Sequence, residues 1–254
     1  MKVAIVGDSF TDIYCAGEVN RISPEAPVPI LDVKERTQRP GGALNVAFNL
    51  YSLGIPVDVY TISDWKLPFR IISPVGAEPL TKTRFVAQGH QLLRVDEPDK
   101  YSKLDTKRMI YPKKKDYDII VISDYDKGTI KGGECTFVDS KKTDLSVFKA
   151  QVLKINALER SKATGVDLFP EAYITKGKGG IDYYKYGERQ SNERNVVKEV
   201  IDVSGAGDTV LAILVYCKVN GITDPVEIMK LANKAASAVV SRFGTSTVTL
   251  DDLQ

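Results

Sequence analysis

Short apolar runs, separated by glycine and aspartate, recur along this chain and predict the strands of one sheet. They lie at 3–6, 57–62, 119–122, 136–138, 152–155, 172–174 and 181–184. Most of them do not alternate between apolar and polar residues, which is typical of strands that are buried on both faces of a mostly parallel sheet.

Three longer segments, at 42–53, 209–219 and 225–243, have helical patterns. The second is apolar on almost every side, so we expect it to be deeply buried, whereas the third is amphipathic. Few residues separate Gly128 from the run at 136–138. A parallel crossover usually takes a dozen residues or more, so the sequence predicts that some crossover helices are shortened or missing.

Two other segments, at 14–39 and 80–97, mix polar and apolar residues in a different way. The first contains three prolines, and the second alternates polar with apolar positions, as expected of strands with one solvated face. We therefore predict a small antiparallel β flap, or lid, inserted into a single α/β domain that covers residues 1–254.

Composition narrows the class of protein. The chain has 254 residues, is 43% hydrophobic and has a net charge of +2, which indicates one sizeable core and no electrostatic footprint for nucleic acid. No apolar run approaches the ~20 residues that a membrane span needs. The three scattered cysteines and an amino terminus that reads directly as a strand fit a cytoplasmic protein without a signal peptide.

The octet at 202–209, DVSGAGDT, is the most informative stretch of the chain. It follows a strand-like run at 195–201 and leads into the apolar helical segment. Two glycines at such a turn leave backbone amides free at the positive end of a helix, which suits an anion. A carboxylate there, Asp208, fits a base that accepts a proton while the amides hold negative charge. The alternative is an ordinary glycine turn with a capping aspartate.

Two further groups of residues lie near predicted strand ends and helix starts. Asp12 follows the first strand, where open α/β sheets bind ligands, although a turn-forming aspartate is the alternative. Gly41 and Gly42 precede a helix that has Asn45 one turn inside, so a substrate can approach the backbone there. A plain glycine turn accounts for this pair equally well.

Two more motifs occur in the second half of the chain. Asn156 and Glu159 are three residues apart and share one face if the segment is helical. Their oxygens suit magnesium bound to nucleotide phosphates, although this spacing also arises by chance. The loop at 175–180, TKGKGG, has the character of a phosphate-lining loop, with a hairpin turn as the alternative.

Together these motifs resemble the PfkB, or ribokinase-like, family of carbohydrate kinases. GDxxxD, PGGAxN, NxxE, TKGxxG and DxxGAGDT occur in the order that this family has, and the last is its most specific signature. The resemblance implies a three-layer α/β/α fold with a mostly parallel central sheet and a small antiparallel β lid. It also implies ATP and Mg²⁺ as cofactors, a sugar phosphate as the other ligand, and a homodimer formed through the lid, with no nucleic-acid or membrane partner.

Within the family, four stretches resemble the kinases that act on D-glycero-D-manno-heptose 7-phosphate. They lie at 21–29, 91–96, 123–128 and 243–248. This narrower resemblance implies an ATP-dependent phosphorylation at O1. Another sugar or nucleoside kinase of the same family is the first alternative. A catalytically silent homologue that binds sugar phosphate or nucleotide is the second, because the segment at 65–72 contains Pro68 and cannot hold the usual helix.

The resemblance also implies a role for each matching residue. Asp208 is the catalytic base, and Gly205, Ala206 and Gly207 form the anion hole for the transferring phosphoryl group. Asn156 and Glu159 organise Mg²⁺, with Asp202 near the same phosphates. Thr175, Gly177, Gly180 and Asn233 line the ATP side, while Asp12, Gly41, Gly42, Asn45, Arg94 and Lys127 face the sugar phosphate. Cationic residues in the lid, Arg21, Arg84 and Arg94 among them, favour a phosphorylated acceptor over a neutral sugar.

Overall fold

The computed structural model describes residues 1–195 and 200–254, with only the backbone described at Leu104. The strands are β1 (Val3–Gly7), β2 (Ser9–Ile22), β3 (Pro29–Gly42), β4 (Val57–Tyr60), β5 (Arg70–Ile72), β6 (Leu80–Ala87), β7 (His90–Glu97), β8 (Ile119–Asp124), β9 (Gly133–Ser140), β10 (Phe148–Asn156), β11 (Glu171–Thr175), β12 (Ile181–Lys185) and β13 (Glu188–Glu193). The helices are α1 (Ala43–Ser52), α2 (Lys103–Lys107), α3 (Ala157–Lys162), α4 (Ala206–Val219) and α5 (Pro225–Val240).

Nine strands form one sheet in the order β13-β12-β11-β10-β9-β8-β1-β4-β5. All pairs from β11 to β5 are parallel, and only β12 and β13 add antiparallel strands at one edge. Every apolar run predicted to be a strand overlaps one of these strands, so the mostly parallel sheet is confirmed. The strand-like run at 195–201 falls largely on residues outside the described ranges.

Three long helices, α1, α4 and α5, cover one face of this sheet. Their apolar side chains pack against alternate residues of the central strands, such as Ile5, Val59 and Val121. Helix α4 is buried at nine of its fourteen positions, as its apolar sequence predicts. Helix α5 begins at Pro225 after the N-cap Asp224, whose carboxylate accepts hydrogen bonds from two backbone amides.

The opposite face of the sheet has no comparable helical layer among the described residues. The crossovers from β8 to β9 and from β9 to β10 are loops, and the short helix α3 follows β10. Side chains from these connections, including Ile130, Leu145 and Phe169, pack onto Val6 and Ile122 of the sheet. The predicted shortening is confirmed, and loop side chains bury the apolar sheet residues in place of crossover helices.

A second sheet of four strands, in the order β3-β2-β6-β7, rises from the carboxyl end of β1. Its two hairpins are antiparallel, as predicted, but they meet through a parallel pairing of β2 with β6, which the sequence analysis did not foresee. Strand β2 starts two residues after β1, and β3 ends directly before α1. The sheet therefore extends beyond the predicted segment 14–39 at both ends, whereas β6 and β7 span the predicted segment 80–97. Strands β2 and β3 hold the site next to the main sheet.

Two simpler expectations can be compared with the described residues. Cys15, Cys135 and Cys217 are buried and form no disulfide with one another. None of the helices found in residues 1–195 and 200–254 is long and apolar enough to cross a membrane.

Candidate active site

The glycine turn that precedes α4 forms the centre of the site. Gly205 is the N-cap residue, with a left-handed φ of 82°, and it provides no side-chain cap. Asp208 lies in the first turn of the helix and is 2% exposed. The alternative of a capping aspartate is therefore wrong, because the N-cap position belongs to Gly205 and the Asp208 carboxylate has other partners.

Two side chains hold the Asp208 carboxylate. Asn45 Nδ2 donates to its Oδ2 atom at 2.9 Å, and the Tyr125 hydroxyl donates to Oδ1 at 2.7 Å. Burial raises the pKa of Asp208, while these two hydrogen bonds and the Lys154 ammonium partly oppose the rise. A raised pKa suits a general base, because a carboxylate with a higher pKa binds the proton that it takes from a hydroxyl group more strongly.

Tyr125 was not found by sequence reasoning as a site residue, although it lies in the stretch 123–128 that carried the narrower resemblance. Burial, together with the negative charge of Asp208, raises its pKa well above the usual value, so it remains a donor. Asp8 fixes the loop that carries it. The Asp8 carboxylate accepts the amides of Tyr125 and Lys127 at 2.9 Å each and the Thr129 hydroxyl at 2.6 Å.

Asn45 was predicted to face the sugar, which stays a prediction, and the structure places its amide against Asp208. A Cβ atom on Gly205 would lie 2.7 Å from Asn45 Nδ2. Glycine at position 205 therefore serves two purposes: it adopts a positive φ, and it leaves room for the side chain that orients the carboxylate.

A cavity of about 370 Å³ opens beside Asp208, and we call it the charged cavity. Its described lining is Phe10, Asp12, Lys82, Arg84, Arg94, Asp124, Tyr125, Asp139, Lys141, Lys154, Asn156, Glu159, Val203, Ser204, Gly205, Gly207 and Asp208. Asp12, predicted to contact the sugar, lies in this cavity. It forms an ion pair with Arg84 and accepts a hydrogen bond from the Thr245 hydroxyl at 3.1 Å.

Lys82 is a lining residue that the sequence analysis missed. Its ammonium lies 3.1 Å from the centre of the Phe10 ring and 5.0 Å from that of Tyr125. Burial lowers the pKa of Lys82 to about 8, and the Asp12 carboxylate opposes this shift. Lys82 and Arg84 alternate on β6, so both project from the same face of the strand. The spacing of two residues between these two cations was the sequence signal from which Lys82 could have been found.

A second cavity, of about 440 Å³, lies on the other side of the glycine turn, and we call it the apolar cavity. All four residues predicted to contact ATP line it, namely Thr175, Gly177, Gly180 and Asn233. Its described lining also includes Ile181, Val200, Val210, Ala236 and Val240. Val203 and Gly207 belong to the linings of both cavities, so the two spaces meet at the turn.

Asn156 and Glu159 form the capping box of α3. The Asn156 side chain accepts the Glu159 amide, and the Glu159 side chain accepts the Asn156 amide, both at 2.8 Å. Both residues line the charged cavity, where Glu159 Oε1 is 3.6 Å from the Lys141 ammonium. The described residues contain no group of three or more histidine, cysteine, aspartate or glutamate side chains that could hold a metal. The carboxylate and amide oxygens of Glu159 and Asn156 are of the type that magnesium takes as ligands.

Five residues to which the resemblance assigned roles are absent from the described linings of both cavities: Gly41, Gly42, Asn45, Lys127 and Asp202. Gly42 has a φ of 64°, and a Cβ there would lie 2.3 Å from the Asp8 carbonyl oxygen, so glycine is required by the backbone. A Cβ on Gly41 would lie 2.6 Å from Asp12 Oδ2. Gly41 thus leaves room for a lining carboxylate.

Lys127 and Asp202 contact other residues. The Lys127 ammonium is 2.5 Å from Asp99 Oδ1. Asp202 accepts the Ser204 amide at 2.8 Å and the Tyr14 hydroxyl at 3.3 Å, so it stabilises the start of the glycine turn.

Two larger cavities, of about 590 and 610 Å³, lie on the opposite face of the main sheet, and their described linings contain no predicted site residue.

Comparison with known proteins supports the architecture and the family. Residues 146–252 match the family model described as pfkB family carbohydrate kinase. The bifunctional protein HldE of Haemophilus influenzae is 31% identical over 299 aligned positions, covering 100% of this chain and 63% of that protein. The chain thus spans less than two thirds of that relative's length. Because the alignment is longer than the 254-residue chain, the chain also carries deletions relative to HldE.

Solved structures show the same fold at low identity. The nucleoside kinase of Methanocaldococcus jannaschii, an archaeal member of the ribokinase family, has a TM-score of 0.71 at 17% identity, covering 100% of this chain and 98% of that one. Arabidopsis thaliana ribokinase, complexed with ribose and ATP, has a TM-score of 0.70 at 17% identity with the same coverage. The fold is therefore ribokinase-like. Within that fold, residues 146–252 of the chain are similar to the pfkB family of carbohydrate kinases.

Proposed function

We propose that this protein is an ATP-dependent kinase that phosphorylates D-glycero-D-manno-heptose 7-phosphate at O1, with Asp208 as the general base. One observation carries the proposal. The charged cavity and the apolar cavity meet at Gly207, and the buried Asp208 carboxylate is the next residue in the same helical turn. An acceptor in one cavity and a nucleotide in the other would meet beside a base.

The charged cavity fits a phosphorylated acceptor better than a neutral sugar. Lys82, Arg84 and Arg94 reach it from the second sheet, and Lys141 reaches it from the end of β9. Arg84 is paired with Asp12, and Arg94 with Asp96. No carboxylate of the described residues lies within 4.0 Å of the Lys82 ammonium, so Lys82 is the cation best placed for a phosphate.

The apolar cavity fits the base and ribose of ATP, because it combines an apolar wall with the flexible glycine loop at 177–180. Magnesium, when bound with the nucleotide, would neutralise charge on its phosphates. Glu159 and Asn156 would hold the ion through its waters, since their capping box already engages Oε2 of Glu159 and Oδ1, the single side-chain oxygen, of Asn156.

The reaction then follows from the geometry. Asp208 accepts the proton of the O1 hydroxyl while O1 forms a bond to the γ-phosphorus of ATP and the bond from that phosphorus to the ADP oxygen breaks. The backbone amides at the start of α4 hold the charge on the transferring group. Asn45 and Tyr125 keep the carboxylate oriented before and after it takes the proton. The sugar phosphate and ATP are thus the expected small-molecule ligands.

The deciding experiment measures ATP consumption with heptose 7-phosphate, fructose 6-phosphate, ribose and nucleosides as acceptors. We expect turnover with heptose 7-phosphate, and a decrease in kcat of roughly 10²–10⁴-fold for Asp208→Asn with nucleotide binding kept. Preference for ribose or a nucleoside would assign the protein to another activity of the family. No turnover on any acceptor would leave the silent binding homologue as the correct description.

We also propose that residues 1–254 form one domain in which the second sheet acts as a lid over the charged cavity. Lys82, Arg84 and Arg94 support this proposal, because they line the cavity from β6 and β7.

The second sheet and the turn between β2 and β3 expose apolar side chains at Ile22, Val28, Val33, Leu92 and Leu93. Such a surface fits a homodimer formed through the lid, in a cytoplasmic enzyme.

The dimer is tested with Leu93→Lys, whose side chain is 57% exposed in the monomer. Light scattering after size-exclusion chromatography should give a dimer mass for the wild type and a monomer mass for the variant. A wild type that runs as a monomer at all concentrations would refute this part of the proposal.

A further inference from the structure

A buried ion pair lies beside the glycine turn and has no role in the function proposed so far. Lys154 on β10 and Asp139 on β9 are opposite each other in the parallel register of the two strands. The Lys154 ammonium is 2.6 Å from Asp139 Oδ2, and Lys154 is 3% exposed. Both side chains line the charged cavity.

The position of the ammonium is defined by Gly207. A Cβ atom on Gly207 would lie 2.8 Å from Lys154 Nζ, so a positive charge sits directly against the glycine shared by both cavities. An ammonium has three N–H donors, and among the described residues its one hydrogen bond is to Asp139. Donor capacity is therefore left over at the point where the two cavities meet.

Stability does not explain this arrangement. Removing two charges from water usually offsets the attraction between them, so an apolar pair of similar size is often at least as stable. A fixed positive charge is favourable, however, where a phosphoryl group with negative oxygens is transferred out of contact with bulk water. The location of the Lys154 ammonium beside Gly207 fits such a role in phosphoryl transfer.

We propose that Lys154 is a catalytic residue whose ammonium donates a hydrogen bond to the γ-phosphoryl group as it passes from ATP to the acceptor. The inference rests on the proposed kinase function and adds a cation supplied by the protein to the amides of the anion hole. Asp139 positions the ammonium through the observed ion pair.

The alternative is that Lys154 only neutralises Asp139, and a double variant separates the two. Lys154→Met combined with Asp139→Asn removes both charges, so no lone buried charge remains to unfold the protein. We expect the double variant to fold, with kcat lowered by about 10²–10³-fold and the KM for each substrate within about threefold of wild type. A purely structural pair would give a double variant with wild-type kcat.

A binding measurement tests the same point without turnover. ADP with aluminium fluoride imitates the transferring phosphoryl group, so with heptose 7-phosphate present it should bind wild type more tightly than ADP alone. The double variant should lose most of this gain in calorimetric titrations and bind ADP alone as wild type does. Lys142→Met is the matched control, because Lys142 pairs with buried Asp124 at 3.1 Å without lining the charged cavity.

We expect Lys142→Met to keep kcat within about threefold, whatever it does to the melting temperature. A folded double variant with wild-type kcat and an undiminished gain from aluminium fluoride would overturn the role of Lys154 and leave the proposed function intact. A wild type that phosphorylates none of the acceptors would overturn the proposed function, and the role of Lys154 with it.

Discussion

The apolar cavity and the charged cavity adjoin each other at Gly207 but differ in chemistry. The described wall of the apolar cavity includes seven aliphatic residues, Ile181, Val200, Val203, Ala206, Val210, Ala236 and Val240. The charged cavity instead contains the carboxylates of Asp12, Asp124, Asp139, Glu159 and Asp208 together with the cations of Lys82, Arg84, Arg94, Lys141 and Lys154. This contrast supports the proposed division of substrates, in which shape and apolar contact hold the nucleotide on one side and charge holds the sugar phosphate on the other.

The two cavities also differ in where the chain builds them. The described lining of the apolar cavity comes entirely from residues 175–240, which fall inside the segment that matches the kinase family. The charged cavity combines residues from β2, β6, β7, β8, β9, β10 and the start of α4. The apolar cavity is therefore built by one segment of the sequence, whereas the charged cavity depends on the correct packing of two sheets.

The largest effect should come from a change at the junction itself. Gly207→Ala places a methyl group 2.8 Å from the Lys154 ammonium and into the space where the cavities meet. We expect kcat to fall by about 10²–10³-fold, as when a preorganised donor of an anion hole is lost. Steady-state kinetics would show this, and an unchanged kcat would mean that transfer does not occur at this turn.

Gly221→Ala provides a control near the other end of α4. Gly221 has a φ of 73° and no atom within 4 Å of an added Cβ. The substitution should lower the free energy of unfolding by about 1 kcal/mol through backbone strain and leave kcat unchanged.

Lys82→Met should produce the next largest effect and should act on the charged cavity alone. Loss of a charged hydrogen-bonding partner should raise the KM for heptose 7-phosphate by roughly 10–100-fold. The KM for ATP should change by less than about twofold, because Lys82 is absent from the described lining of the apolar cavity. If both KM values rise equally, the two cavities do not divide the substrates as proposed.

The same contrast explains how much could be predicted from sequence. The strands of the main sheet followed from apolar runs, because strand burial leaves a local signal. Thr175, Gly177, Gly180 and Asn233 line one cavity, and their contact with ATP stays a prediction. The parallel meeting of β2 with β6 was missed, since pairing between distant hairpins has no local signal.

The contacts that sequence reasoning missed join distant segments of the chain. Tyr125 and Asn45 meet Asp208 across 83 and 163 positions of the chain. Lys154 reaches Gly207 only because β10 runs beside the start of α4. The NxxE motif predicted only a role in binding magnesium, yet the side chains of its two named residues also form the capping box of α3. Such double roles follow from tertiary packing, which a single sequence does not specify.

A smaller effect is expected from filling the apolar cavity. Ala236→Leu adds three carbons at a lining position that is 9% exposed, and such overpacking should raise the KM for ATP about tenfold. The KM for heptose 7-phosphate should stay constant. Ala238→Leu, two residues along α5 and absent from the described lining, is the control and should leave both constants unchanged.

The smallest effect is a pH dependence confined to the charged cavity. Burial lowers the pKa of Lys82 to about 8; Asp12 and Asp96 oppose the shift, and Lys141 and Lys127 reinforce it. The free enzyme therefore loses this positive charge as pH rises through about 8, so the KM for heptose 7-phosphate should rise several-fold between pH 8 and pH 9.

The KM for ATP, measured over the same pH range, should remain flat, since Lys82 is absent from the described lining of the apolar cavity. Lys82→Met should abolish the rise, because its side chain has no proton to lose, and this separates Lys82 from every other titrating group. A wild-type KM for heptose 7-phosphate that is constant through pH 9 would show that the Lys82 ammonium does not bind the acceptor phosphate. The phosphate would then have to lie against Arg94 or Lys141, the other lining cations that are not paired with Asp12 or Asp139.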